Sequence, residues 1–261
     1  MDVNVLEDDG RKMKFVLEDA TPQFANSLRR TMIGKVPTMA IEEVDFINNT
    51  SGLFDEIIAH RMGMIPWKFP VDEYNLPEEC DCDGEGCPQC QVEMVLKKEG
   101  ESFVKAKNIK PTDKKVENVN PEILIVKLLE DQEIELEARA NLGIGKDHAK
   151  FQAATAAYRY YPTVRINGEE VENSEEAANV APKPVKKAEG AVEADEEIVY
   201  AMENTVDIEE GDEVELEEDE DRFIFTVESV SGLTTEQIVT KAVDILKEET
   251  EEFEEEIGNV L

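Results

Sequence analysis

Every cysteine of the 261-residue chain falls in the run CDCDGEGCPQC, residues 80 to 90. Two pairs, Cys80/Cys82 and Cys87/Cys90, lie around Asp83-Gly84-Glu85-Gly86, a flexible tip that lets four thiolates converge on one ion. Tetrahedral coordination by four sulfurs favours Zn2+, which needs no redox chemistry and would close the loop as a staple. Four thiolates leave no open position for water, so such a site holds structure and does not catalyse. An iron–sulfur cluster uses the same ligands, and free or redox-active thiols are a third reading. A disulfide framework would more usually spread its cysteines to tie distant loops together.

Other residue types offer less chemistry. The chain has two histidines, His60 beside Arg61 and His148 in NLGIGKDHAKF. The second segment superficially resembles a phosphate loop, but Asp147 follows Gly145-Lys146 where Ser or Thr would hold magnesium, and the glycine spacing does not fit. Nucleophile elbows and H-E-x-x-H pairs are absent, and carboxylates are too numerous for an acid–base pair to stand out. Arg29 and Arg30 are adjacent on a largely apolar helical stretch in a chain poor in arginine. Arginine binds carboxylates through two parallel hydrogen bonds, so the pair is a candidate docking point on a partner.

Composition narrows the class. With 62 acidic against 27 basic residues and a formal charge of −35, the chain lacks the clustered cations that non-specific nucleic-acid binding requires. The start, MDVNVLEDDG, is polar, without a basic segment followed by an apolar one, and the cysteines are bunched. A reduced, cytoplasmic location is therefore expected. No apolar run approaches the roughly 20 residues that span a bilayer.

The elements that must position these residues are legible in part. VNVL and KMKFVLE around Asp9-Gly10 predict a hairpin. Thr21 and Pro22 open a helix carrying Phe24, Leu28 and Met32 at fourfold spacing, and PTMAIEEVDFINN follows as a strand. Ser51 is expected to open a second helix with Leu53, Ile57 and Ile58 on its apolar side. EMVLKKE, FVKAKNI, EILIVKLL, EIELEARANL and DRFIFTVESV predict further strands. Residues 168 to 197, rich in Ala, Glu, Lys and Pro, read as a linker or mobile loop. The end predicts an amphipathic helix from about Thr235 to Ile257, with Ile238, Ala242, Ile245, Leu246, Phe253 and Ile257 as its stripe. At ~1.5 Å per residue it would be about 35 Å long and overhang a small domain, so another chain is expected to cover part of the stripe.

Several segments together resemble one family. FANSLRRTMIGKVPTMAIEEV, FDEIIAHRMGMIPW, NLGIGKDHAKFQAATAAYRYYP and FIFTVESVSGLTTEQIVTKAVDIL are similar, in that order, to the α-type assembly subunits of multisubunit RNA polymerases. The archaeal D-type member is the most similar, beside the third subunit of eukaryotic RNA polymerase II. The resemblance implies an α+β fold with a discontinuous dimerisation domain, residues 1–46 and 220–261, and an inserted, mostly β domain at 47–219. It implies a non-catalytic scaffold that pairs with an L-type subunit through Phe24, Leu28 and the last helix. The pair would gather the second-largest subunit, the small zinc-binding subunits and then the largest. Arg29, Arg30, His60, Arg61, Lys146, His148 and Lys150 match interface or framework positions of the family, and Cys80, Cys82, Cys87 and Cys90 match a zinc loop. Many archaeal members carry ferredoxin-like cysteines beyond the position of residue 165, where this chain has none. The alternatives are a free-standing metal-binding or redox protein, and an enzyme using its carboxylates.

Overall fold

The computed structural model of the chain describes residues 1–187 and 190–260. The chain begins with β1 (Asp2–Asp8), β2 (Lys12–Glu18), α1 (Pro22–Gly34), β3 (Thr38–Asn49), α2 (Asp55–Gly63) and β4 (Trp67–Lys68). After the cysteine loop come β5 (Gln91–Glu99), β6 (Ser102–Lys105), β7 (Lys110–Pro111), β8 (Glu117–Asn118), β9 (Leu124–Leu128), β10 (Glu133–Gly143) and β11 (Ala154–Ile166). The remainder is β12 (Glu169–Glu170), α3 (Ser174–Val180), α4 (Lys183–Lys187), β13 (Val192–Glu193), α5 (Glu196–Met202), β14 (Glu213–Ser229) and α6 (Thr235–Val260). The fold is α+β, and no described helix is long and apolar enough to cross a membrane.

The chain forms two compact units, residues 1–7, 14–26 and 157–226 in one, and 8–13, 27–156 and 227–261 in the other. This division is drawn on different lines from the dimerisation and insert domains that the resemblance implies. In the first unit the sheet order is β1-β2-β14-β11-β12, with β13 beside β14. Its centre is aromatic: the Phe15 and Phe225 rings stack with centroids 4.9 Å apart, and Tyr158 packs on Phe225 at 5.4 Å. Thr21 caps α1 through its hydroxyl, which accepts from the Phe24 amide at 3.3 Å.

Residues 168 to 197, expected to be a linker, hold ordered elements. Ala177, Ala181, Val185, Ala194 and Ile198 join Val164 and Val214 in a small buried cluster. Asp195 caps α5 by accepting from the Glu197 and Ile198 amides at 3.0 Å each. Alanine supplies core without raising the apparent hydrophobicity, so the composition mimics a linker. Residues 188 and 189 of that segment lie outside the described residues.

In the second unit the main sheet runs β3-β10-β5-β7. Strict alternation on β10 buries Ile134, Leu136, Ala138, Ala140 and Leu142, while Arg139 on the opposite face pairs with Glu43 and Asp45 at 2.6 and 2.9 Å. Ser51 does not open α2. It forms a local turn in which its hydroxyl accepts from the Leu53 amide at 3.3 Å, and Asn49 donates to Leu53 O and Asp55, so the helix starts at Asp55. The helix buries Ile58 and Met62, whereas Ile57 is exposed. Gly232 lets two backbones meet: a Cβ there would lie 1.7 Å from the carbonyl oxygen of the fully buried Trp67.

Candidate metal centre and basic cleft

The cysteine loop is built by backbone conformations that few residues accept. Asp83, Gly84 and Gly86 all have positive φ, at 52°, 77° and 91°, and the chain reverses over them. Amide hydrogen bonds pin both knuckles: Asp83 N donates to Cys80 O at 3.0 Å, and Cys90 N and Gln91 N donate to Cys87 O at 3.0 and 2.9 Å. The Cys87 amide also points at Cys90 Sγ, 3.3 Å away, a contact that favours thiolate. Asn75 N to Gln89 O, 2.9 Å, ties the loop to the segment before it.

These turns bring the four sulfurs together. Sγ atoms lie 3.5 Å apart for Cys80–Cys87, Cys80–Cys82 and Cys82–Cys90, and 3.9 Å for Cys87–Cys90, with all four within 4.8 Å of one another. A disulfide needs about 2.05 Å, and the cysteines are free thiols. One ion bonded to four sulfurs at about 2.3 Å has a tetrahedral edge of about 3.8 Å, close to the spacings found. The donor set therefore fits a single metal ion. Cys80 and Cys90 are buried and Cys82 and Cys87 half-buried, so the centre is largely shielded. The thiols are electrostatically tuned against one another. Burial opposes ionisation of Cys82, but hydrogen bonds with Cys80 and Cys90 and the Gly86 amide hold its pKa down at about 7. The Cys82 amide lowers the pKa of Cys80, yet burial and hydrogen bonds with the other sulfurs push it up to about 12. A bound cation supplies the charge that lets all four ionise together.

Arg29, Arg30 and Lys146 line one cleft of ≈ 450 Å³, together with Lys35, Leu246 and Glu249. The 144–146 loop reaches the end of α1 because residue 145 is glycine: a Cβ would lie 2.4 Å from Ile33 O. Lys146 N donates to Gly34 O at 2.9 Å, closing the contact. Lys35, which pattern reasoning did not single out because a lysine in a turn carries no periodicity, pairs with Glu249 of α6. His148 and Lys150 do not line this cleft. His148 Nδ1 accepts from the Lys150 amide at 3.0 Å, capping a short 3-10 turn. The Lys150 ammonium is mostly buried, donates to Ile41 O at 3.1 Å, pairs with Glu42 and lies 5.0 Å from the Phe151 ring centre. His60 and Arg61 sit on α2, where Arg61 donates to Ile125 O at 2.7 Å while both side chains stay largely exposed.

The stripe on α6 divides. Ile238 and Ala242, like Leu28 of α1, are buried within the chain; Ile245 and Leu246 are half-buried, as is Phe24. Phe253 is 62% and Ile257 42% exposed.

Comparison with known proteins gives a consistent result. The family model described as the RNA polymerase Rpb3/RpoA insert domain matches residues 42–160. DNA-directed RNA polymerase subunit Rpo3 of Methanosphaera stadtmanae is 35% identical over 265 residues, covering 96% of both chains. The subunit of the same name from Pyrococcus furiosus is 38% identical over 260 residues, covering 98% of this chain and 97% of its own. That of Methanosarcina acetivorans is 36% identical over 262 residues, 97% of each.

Proposed function

The chain belongs to the archaeal Rpo3 family of DNA-directed RNA polymerase subunits, and from that membership we propose that it is a non-catalytic assembly platform. Other polymerase subunits are its partners by virtue of the family. In the proposal an L-type subunit covers the free part of α6, and the heterodimer then recruits the second-largest subunit, the small zinc-binding subunits and the largest subunit in the cytoplasm. Residues 1–46 and 220–261 would serve dimerisation and 47–219 would form the insert. The observation that carries this reading is α6: residues 247–259 are all exposed, yet the helix keeps Phe253 and Ile257 in register with its half-buried Leu246. Val243, Phe253 and Ile257 together make an exposed apolar row on one face of the helix, the kind of surface that a partner helix covers.

The cleft of Arg29, Arg30 and Lys146 suits carboxylates of a large subunit, in a chain whose overall charge would otherwise repel them. His60 and Arg61 on α2 would extend that contact, with His148 and Lys150 fixing the loop that carries Lys146. Zn2+ is the ion we assign to Cys80, Cys82, Cys87 and Cys90. The sulfur spacing fits one four-coordinate ion, and a multinuclear iron–sulfur cluster, with its thiolates on different irons, would hold them farther apart. When bound, zinc supplies a cross-link between the two knuckles, and the chain's own residues shield it. Phe253→Glu or Ile245→Glu is expected to abolish pairing with the L-type subunit in co-purification. Arg30→Glu combined with Lys146→Glu is expected to leave that pair intact and to block recruitment of the second-largest subunit. Recruitment by the double variant as by the parent would contradict the role given to the cleft.

A further inference from the structure

α6 carries a second apolar row, distinct from the one that holds it to its own chain. Ile238 and Ala242 are buried, whereas Val239, Val243, Leu246, Thr250, Phe253 and Ile257 recur at alternating intervals of four and three residues, the spacing of a coiled-coil seam. Val239 and Leu246 are half-buried, whereas Val243, Phe253 and Ile257 are 45%, 62% and 42% exposed. The one polar member makes no demand on a partner, because the Thr250 hydroxyl donates to Leu246 O at 2.7 Å. A heptad seam of this kind serves equally well for a second copy of the same helix, so something else must select the occupant.

The flanks supply the selection. Residues 247–257 hold seven glutamates and one lysine. Glu249 and Glu251 are paired within the chain, with Lys35 and Lys247. Glu248, Glu252, Glu254, Glu255 and Glu256 make no ion pair with any described residue. Glu249, Glu254 and Glu256 stand directly beside the seam, next to Thr250, Phe253 and Ile257, while Glu248, Glu252 and Glu255 lie on the outer face and add to its negative field. Two copies joined along the exposed seam would bring the flanking glutamates against one another, and the −35 charge of each chain adds to the repulsion. A helix with Lys or Arg beside its own apolar row would instead neutralise them. We propose that the glutamates flanking the α6 seam act as a charge filter that bars self-association and admits a partner helix with basic flanks. The proposal deepens the reading of α6 as the pairing helix and rests on it for the identity of the natural partner, but the filter can be tested without that partner.

Two probes suffice. The full chain with Glu248, Glu252, Glu254, Glu255 and Glu256 all changed to Gln is compared with the parent by sedimentation equilibrium. Both are then titrated with two synthetic coiled-coil helices that share Val and Leu seam residues and differ only in having Lys or Glu flanks. The parent is expected to be monomeric and to bind the Lys-flanked helix at least tenfold more tightly than the Glu-flanked one at low salt, with the preference shrinking as salt rises. The five-Gln variant is expected to lose the preference and to self-associate, and Phe253→Glu added to it should restore the monomer. A parent that binds both helices equally, or a five-Gln variant that stays monomeric, would overturn the filter. Failure of the parent to bind an L-type subunit, with the preference between synthetic helices intact, would instead count against the pairing reading alone.

Discussion

Tyr74 and Asp113 form a hydrogen bond of 2.6 Å beside the cysteine loop, and each alters the other. The Tyr74 hydroxyl, then the Lys115 amide, hold the Asp113 carboxyl below its ordinary pKa. Burial, then the bond to Asp113, raise the Tyr74 phenol above its ordinary value. A carboxylate with a lowered folded pKa contributes stability above its unfolded value and loses it as pH falls through the folded value. Tyr74→Phe should therefore be less stable than the parent at pH 7, and the difference should shrink as pH falls through the Asp113 titration. Denaturant midpoints measured from pH 7 to about 2 check this; a gap that did not change with pH would refute it. Cys87→Ser removes one of the four sulfurs and is expected to reduce bound metal below one ion per chain and to loosen the loop. Metal analysis of the purified variant reads the outcome directly. The cysteines were legible because their crowding is visible in the sequence alone. The Tyr74–Asp113 bond was not, since it joins residues 39 apart with no periodic signal.

Among the elements, those with strong alternation or helical spacing were readable, as β10 and α6 illustrate. Strand β11 was missed although it is thirteen residues long, because Ala154, Ala156 and Ala157 dilute the β-branched and aromatic signal. Its hairpin to β12 is marked by Asn167-Gly168, both at positive φ, 52° and 83°, a turn signal present in the sequence. Across the sheet beside it, Phe225 is fully buried between Phe15 and Tyr158. Phe225→Ala should lower unfolding free energy by about 3–5 kcal/mol, the cost of deleting a large core side chain and leaving a cavity. Chemical denaturation measures it, and a loss under about 1 kcal/mol would mean that the aromatic centre does not carry the first unit. The divided stripe on α6 shows a different limit. Periodicity marks apolar positions, but only the packed structure separates those that hold the helix at home from those left open.

For the whole molecule, the net charge of −35, the exposed end of α6 and the basic cleft at the end of α1 are the features on which the proposed scaffold role rests. The sequence carried the family pattern across nearly its whole length, yet composition alone could not have told a scaffold from a free-standing metalloprotein, because both are compatible with an acidic surface and four thiolates. The most direct measurement is native mass spectrometry of the full chain, expressed with and without an L-type polymerase subunit, reading stoichiometry and bound metal from the same spectra. The expected result is a one-to-one heterodimer in which this chain carries one zinc. A stable monomer in the presence of excess L-type subunit would contradict the assembly role.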